Sequence, residues 1–359
     1  MSSVLSRAEA VAAARLRVLG RVWLAVVVSA PWAACRSSCD ETSPPPTPRA
    51  SAVSATTAEK PRPAVSMAAA SQLPSPVTLL TLDKTAYHTR IDLASDAIYL
   101  LTMEGAFRLV PGQEPRETKL DLSDTGVATP SAFIFWSNGH FWLAPKQGGP
   151  PGRLARVKNR PIYIVSVEER FAWIGPDERG HHTVYTLRQG KPHAVHEMSG
   201  PVAAATMVED RVIFLERPET TTWRLGSVPR GGGPASFTQT RVGRYPGTLA
   251  AAGDVYYYYY DDKDTSEVWA VSPDLRSERV VARNVICSPL AVADRIFCGH
   301  MEGVFEISPT SGLPKLVYPS IGGSITAIAA DQKRIVWVND VGQEKLDVKM
   351  LLRDALPPG

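Results

Sequence analysis

The chain has 359 residues, enough for one large domain or two domains of ordinary size. Its formal net charge is +3, and residues 1–34 alone carry four arginines and one glutamate, so the remainder is close to neutral. A neutral globular part gives no electrostatic reason to bind nucleic acid or an acidic membrane surface, and we expect no nucleic-acid partner.

The N-terminal segment is typical of an export signal. An Arg-bearing leader precedes an apolar run from Val22 to Ala34. Those 13 residues have the length of a signal-peptide core and fall short of the roughly 20 that a membrane-spanning helix needs. We therefore predict that residues 1–34 are a signal peptide.

The apolar run ends in a motif that resembles a bacterial lipobox, Ala33-Ala34-Cys35. In a lipobox the cysteine is lipidated and becomes the new N-terminus, although here Trp32 replaces the usual aliphatic residue. We predict lipidation at Cys35, with the protein held at the cell envelope by this lipid. Cleavage after Ala30 by an ordinary signal peptidase and an uncleaved anchor are the two alternatives.

Residues 35–76 have a composition of their own. They contain eight prolines, Pro44-Pro45-Pro46 among them, and are otherwise mostly Ser, Thr and Ala without an aromatic residue. Such a segment cannot bury enough apolar surface to offset its ordering entropy. We predict a disordered Pro/Ser/Ala-rich tether that holds the following domain off a membrane.

From residue 77 onward the chain repeats a unit of three short predicted strands. The second predicted strand of each unit carries an aromatic residue, at intervals of 37 to 43 residues. These residues are Tyr99, Trp136, Trp173, Phe214, Tyr257, Phe297 and Trp337. The third strand has an aromatic residue followed two positions later by an aliphatic one in the first six units, from Phe107/Leu109 to Phe305/Ile307, and Leu346/Val348 in the seventh.

Seven such units and no helical periodicity predict an all-β fold, a seven-bladed β-propeller over residues 77–359. The unit resembles those of bacterial β-propellers of the NHL, YVTN and TolB-like type. The resemblance implies the architecture and leaves the activity open, because such propellers host binding, scaffolding and enzymatic roles.

The two ends of this region predict how the ring closes. The seventh unit stops after its third strand, and Val77 to Asp83 reads as a strand that belongs to no unit. We predict that this strand becomes the outer strand of the last blade, since a closed ring leaves few open edges.

Two of the four cysteines, Cys287 and Cys298, flank the turn of one predicted hairpin. With the turn centred on Val292-Ala293 they lie opposite each other, within reach of a disulfide. An exported protein can keep such a bond. We predict this disulfide, with two buried free thiols as the alternative.

Three groups of residues are candidates for ligand binding. Tyr256, Tyr258 and Tyr260 belong to a run of five tyrosines that could stack on a sugar or a peptide, or simply pack between blades. Asp262, Asp264 and Ser266 follow with the alternating spacing of oxygen ligands, but the segment lacks the glycine and the distant glutamate of an EF-hand. They are weak metal candidates.

Histidines form the last group. His140 and His300 occupy comparable positions near the start of a third strand and would lie on the same face of a propeller. His181, His182, His193 and His196 could in principle bind zinc, but no cysteine or carboxylate accompanies them in a recognised zinc motif, and solvated histidines are the commoner case. We predict no metal or other cofactor.

No catalytic motif is present: the chain has no G-x-S-x-G, H-E-x-x-H or P-loop sequence. We therefore expect an exported monomeric binding protein that recognises a protein or glycan on one face of the ring. The alternatives are a propeller enzyme, such as a metal-dependent lactonase or lyase or a quinone-dependent dehydrogenase, and an envelope-assembly scaffold.

Overall fold

The structure, a computed structural model, describes residues 74–83, 90–102, 105–118, 125–242, 245–260, 266–308, 310–320, 323–342 and 345–356. The predicted signal peptide, Cys35 and nearly all of the predicted tether lie outside these residues. No helix in the described part is long and apolar enough to cross a membrane.

The described residues form 29 strands and one short 3-10 turn, Arg353–Ala355. The first strand is β1 (Val77–Asp83). Sheet 1 contains β2 (Arg90–Leu93), β3 (Ile98–Thr102), β4 (Gly105–Leu109) and β5 (Arg116–Thr118). Sheet 2 contains β6 (Thr125–Ala128), β7 (Ala132–Ser137), β8 (His140–Pro145) and β9 (Gly152–Arg156). Sheet 3 contains β10 (Tyr163–Val167), β11 (Arg170–Pro176), β12 (His182–Arg188) and β13 (Lys191–Glu197).

Four further sheets follow along the chain. Sheet 4 contains β14 (Val202–Val208), β15 (Arg211–Glu219), β16 (Thr222–Pro229), β17 (Ser236–Phe237) and β18 (Arg241–Val242). Sheet 5 contains β19 (Tyr245–Ala252), β20 (Asp254–Tyr260), β21 (Ser266–Val271) and β22 (Glu278–Arg283). Sheet 6 contains β23 (Leu290–Val292), β24 (Ile296–His300), β25 (Gly303–Ile307) and β26 (Pro314–Pro319). Sheet 7 contains β27 (Ser324–Ala330), β28 (Arg334–Asp340), β29 (Lys345–Leu352) and β1.

The predicted closure strand is confirmed. Sheet 7 has the order β1-β29-β28-β27, so the strand that precedes all the units becomes the outer strand of the last one. The two strands are antiparallel, with Val77 opposite Met350 and Asp83 opposite Lys345. Three leucines of β1 pack on the apolar cluster between sheets 7 and 1.

The sheets follow one another around an axis, as the predicted β-propeller architecture requires. Strands of each sheet pack on the next sheet along the chain, and β27 of sheet 7 packs on both sheet 6 and β2 of sheet 1. The apolar core is divided into seven clusters, one between each pair of neighbouring sheets; Phe297, Ile325 and Trp337, for example, join sheets 6 and 7.

The repeated aromatic residues explain this division of the core. All seven lie on the second strand of a sheet, as predicted. Phe214, Phe297 and Trp337 have no exposed surface, because each second strand is covered by a neighbouring sheet on both sides. That two-sided burial accounts for the continuous apolar runs in these strands.

The alternating strand directions define two faces of the ring. The upper face holds the turns between second and third strands and the connections that lead into each first strand. The lower face holds the turns between first and second strands and between third and fourth strands. Polar contacts join neighbouring sheets at the lower face: Arg334, in sheet 7, donates to the carbonyl oxygens of Ala94 and Ala97 in sheet 1.

Candidate functional site

The two histidines predicted to share a face do lie on the upper face, but in distant sheets. His140 begins β8 in sheet 2 and His300 ends β24 in sheet 6, and sheets 7 and 1 separate them along the shorter way around the ring. The Nδ1 of His140 is 2.9 Å from the carbonyl oxygen of Asn138, and that of His300 accepts from the Glu302 backbone at 3.3 Å. Each ring is therefore engaged locally.

The run of tyrosines forms part of a strand, as its β propensity suggests. Tyr256, Tyr258 and Tyr260 belong to β20, which pairs with β19 and β21. Asp262 and Asp264 lie outside the described residues. Ser266 lies opposite Tyr260 at the start of β21, where it is buried and its carbonyl accepts from the Asn284 backbone at 2.7 Å.

The structure joins Cys287 and Cys298 in a disulfide, with 4.8 Å between their Cα atoms. The strand register that led to this pairing is wrong. The hairpin turn contains residues 293–295, so Val292 lies opposite Ile296, and Cys298 opposite Leu290. Pro289 has no N–H and ends the regular ladder; the Ser288 N–H donates to the Gly299 carbonyl at 3.2 Å, which brings Cys287 alongside Cys298.

One of the four histidines weighed as zinc ligands is accompanied by carboxylates after all. His181 Nδ1 is 2.8 Å from Glu197 Oε1, and the ligand atoms of Asp177, His181 and Glu197 all lie within 4.8 Å of one another on the upper face. The group could hold a divalent cation. Its atoms are also used within the protein, since Asp177 Oδ1 accepts from the His181 backbone at 2.8 Å.

The other histidines considered as zinc ligands have different contacts. His193 faces Thr186 across the β12–β13 pair, and His196 stacks on Phe214 with ring centroids 5.7 Å apart. Burial lowers the pKa values of His182 and His196. The pairing of His181 with carboxylates was missed, because Asp177 directly follows β11 whereas Glu197 ends β13.

A second group that sequence reasoning missed lies at the innermost strand of sheet 1. Arg90, at the upper end of β2, donates from Nη1 to the carbonyl oxygens of Gly126 at 3.2 Å and Ile164 at 3.1 Å. Those carbonyls belong to the first strands of sheets 2 and 3. One guanidinium thus bridges the inner strands of three sheets near the upper mouth of the ring, with an exposed fraction of only 8%.

Two more buried charges accompany Arg90. Asp92, two residues further along β2, is 2% exposed, and its Oδ2 is 3.3 Å from Lys146 Nζ. The Lys146 ammonium lies 4.1 Å from the centre of the Tyr99 ring. Burial raises the pKa of the Asp92 carboxyl, against the opposing effect of Lys146 and Arg90, and burial lowers the pKa of Arg90 to about 10.

The comparisons with known proteins show the fold of this chain and no activity. No family model and no curated protein matches the sequence. Among solved structures, an oligogalacturonate lyase in complex with manganese is similar, with 10% identity, 77% of this chain and 97% of that chain covered, and a TM-score of 0.56. A puromycin-hydrolyzing peptidase from Mycobacterium tuberculosis has 10% identity, a TM-score of 0.50, and covers 76% of this chain and 54% of its own.

A third neighbour is the WD40 β-propeller domain of Doa1, with 10% identity, a TM-score of 0.46, and 79% of this chain and 97% of that chain covered. These identities are too low to carry an activity from one chain to another. The chain is an all-β propeller, and its resemblance to the NHL and YVTN types stays a prediction.

Proposed function

We propose that this protein is an exported, lipid-tethered binding protein, a closed seven-bladed ring that recognises a protein or glycan partner through its upper face. Binding is favoured over catalysis because no nucleophile–base pair was found in the sequence. The proposal rests on the position at which the chain enters the ring.

The entering strand β1 lies at the outer edge of sheet 7. Its first residue, Val77, pairs with Met350 near the lower end of β29, whereas Asp83 pairs with Lys345 at the upper end. A tether that leads into Val77 therefore reaches the ring at its rim and from the lower face. This attachment would turn the lower face toward the membrane and leave the upper face and its central mouth open to a partner.

The upper face also carries apolar side chains that are available for contact. Ile286 lies in the connection before β23 and is 42% exposed, and Met301 lies in the turn between β24 and β25 and is 66% exposed. Both flank the Cys287–Cys298 disulfide, which fixes the two segments to each other. Contiguous exposed apolar side chains mark contact surfaces, and we propose that this pair forms part of one.

The test is partner capture by the full-length exported protein. Protein partners are captured by cross-linking on intact cells, and glycan partners by binding to an array of envelope glycans. We expect Met301→Glu to reduce capture at least about tenfold, because a charge placed at a contact must be desolvated on binding. Leu313→Glu is a matched control: Leu313 is 67% exposed in the same sheet, but lies in the lower-face turn between β25 and β26.

Equal effects of the two substitutions would contradict the assignment to the upper face. Capture that neither substitution changes would do the same. Loss with Met301→Glu alone, at unchanged thermal stability, is the expected result.

A further inference from the structure

The innermost strand of sheet 1 buries two charged groups whose hydrogen bonding is incomplete. Arg90 Nη2 and Asp92 Oδ1 are both shielded from solvent and have no hydrogen-bond partner among the residues that the structure describes. One atom is a donor and the other an acceptor. Buried polar groups of this kind are normally satisfied, and each exception requires an explanation.

Two other buried charges in the same ring, Glu216 and Arg334, have partners. Glu216, with no exposed surface, accepts from Arg224 Nε at 2.7 Å and from the Ser199 backbone at 3.1 Å. Arg334, as buried as Arg90, pairs with Asp331 at 2.9 Å and also donates to the carbonyl oxygen of Ala97. Arg353 Nε also lacks a partner, but among the described residues only β2 carries an unpartnered donor and an unpartnered acceptor two residues apart.

The charge balance points to the kind of group that is missing. Arg90 and Lys146 are cations and Asp92 is the anion that pairs with Lys146, so the buried trio has a net charge of +1 when Asp92 is ionised. A single negative charge placed at Arg90 Nη2 would neutralise it and make a charge-assisted hydrogen bond. A carboxylate supplies one such charge, whereas a phosphate dianion would leave the trio with an excess of negative charge.

Asp92 adds a second requirement. Alternate residues of a strand point to the same side and lie about 6.6 Å apart, and both side chains reach toward sheet 2. A ligand that bridges them must accept from the guanidinium at one end and donate to the carboxylate at the other. A hydroxyl group beside a carboxylate meets both demands.

We propose that Arg90 and Asp92 bind a hydroxycarboxylate, such as a uronic acid residue, at the upper mouth of the ring. Arg90 Nη2 donates to the ligand carboxylate, and a ligand hydroxyl donates to Asp92 Oδ1. This inference rests on the proposed binding function and narrows it to an acidic glycan, with the sugar acid entering from the face turned away from the tether.

The experiment is isothermal titration calorimetry of the full-length exported protein with galacturonate. Galactose keeps the hydroxyls without the carboxylate, acetate keeps the carboxylate without the hydroxyls, and inorganic phosphate tests a general anion site. We expect galacturonate to bind more tightly than all three. Arg90→Gln should weaken galacturonate at least about tenfold, because a charge-assisted bond and the neutralising charge are both lost.

Arg334→Gln is the matched control, since it removes an equally buried guanidinium that also joins two sheets, at the lower face. It should lower stability and leave galacturonate binding unchanged. If Arg90→Gln does not fold, Arg90→Lys replaces it. Hydrogen exchange of the wild-type protein provides a measurement that needs no variant. In that measurement, galacturonate should protect the amides of residues 90–93 and 125–128 from exchange.

Two results would overturn the inference. One is a wild-type protein that binds galacturonate no better than galactose. The other is galacturonate binding that survives Arg90→Gln without protection of β2. Neither result affects partner capture through Met301, so failure of this inference and failure of the proposed function are separate outcomes.

Discussion

The closure strand offers the sharpest test of how this ring is held together. Leu80 and Leu82 of β1 are half-buried, face Val348 and Leu346 across the pair, and pack on the cluster between sheets 7 and 1. A fully buried Leu→Ala change costs about 2–5 kcal/mol. At half burial we expect about 1–2 kcal/mol each, and thus roughly 2–4 kcal/mol for Leu80→Ala with Leu82→Ala.

The assay is urea unfolding followed by tryptophan fluorescence. The double variant should unfold at a lower urea concentration with an unchanged slope, and its melting temperature should fall on the order of 5–10 °C. Thr78→Ala, an exposed position on the same strand, is the control and should change stability by no more than about 0.5 kcal/mol. Equal midpoints for the control and the double variant would refute the view that β1 stabilises the ring.

Deletion extends the same test. Without residues 77–83, β29 has an open edge, and we expect loss of the cooperative transition or aggregation. Deletion of residues 36–74, which are nearly all of the predicted tether, should leave the midpoint close to the wild-type value. If both truncations behave alike, the energetic role assigned to β1 is wrong.

Two further predictions concern cysteines. Cys35→Ser should release the protein from membranes or leave it unprocessed; an unaltered mature mass together with extraction that still needs detergent would contradict lipidation. Cys287 and Cys298 should both resist alkylation in the unreduced exported protein, as read by peptide mass mapping, and Cys287→Ser with Cys298→Ser should cost about 2–3 kcal/mol for a sequence separation of 11. Labelling of both cysteines without a reductant would show that the disulfide is absent.

The repeat was readable from the sequence because the same physical demand recurs in every sheet. A second strand covered on both sides needs a large apolar residue. Residues such as Trp173 and Phe297 therefore mark their strands even though the loops around them vary in length. The pairing of β1 with β29 could be inferred for a similar reason, since both ends would otherwise leave an unpaired edge.

Details of register and local contact were beyond that reasoning. The Cys287–Cys298 pairing was predicted from a register that is wrong, because Pro289 interrupts the ladder and the turn contains three residues. Cys298 lies opposite Leu290, three residues from the predicted partner, and a pattern of apolar residues does not specify such a shift in strands that are covered on both faces. The pairing of His181 with Glu197 likewise depends on how two strand ends meet.

The site at Arg90 shows where a sequence signal was present and went unread. The strand Arg-Ile-Asp-Leu places two charges at alternate positions of a segment whose four residues are all buried. Burying a charge is costly unless it is paired, so charges on an innermost strand should themselves raise the question of a ligand. What the sequence could not supply is the partner set: Arg90 and Ile164 are 74 residues apart, and only closure of the sheets around an axis brings that carbonyl to the guanidinium. The ring thus creates the site, while the two charges on β2 determine its chemistry.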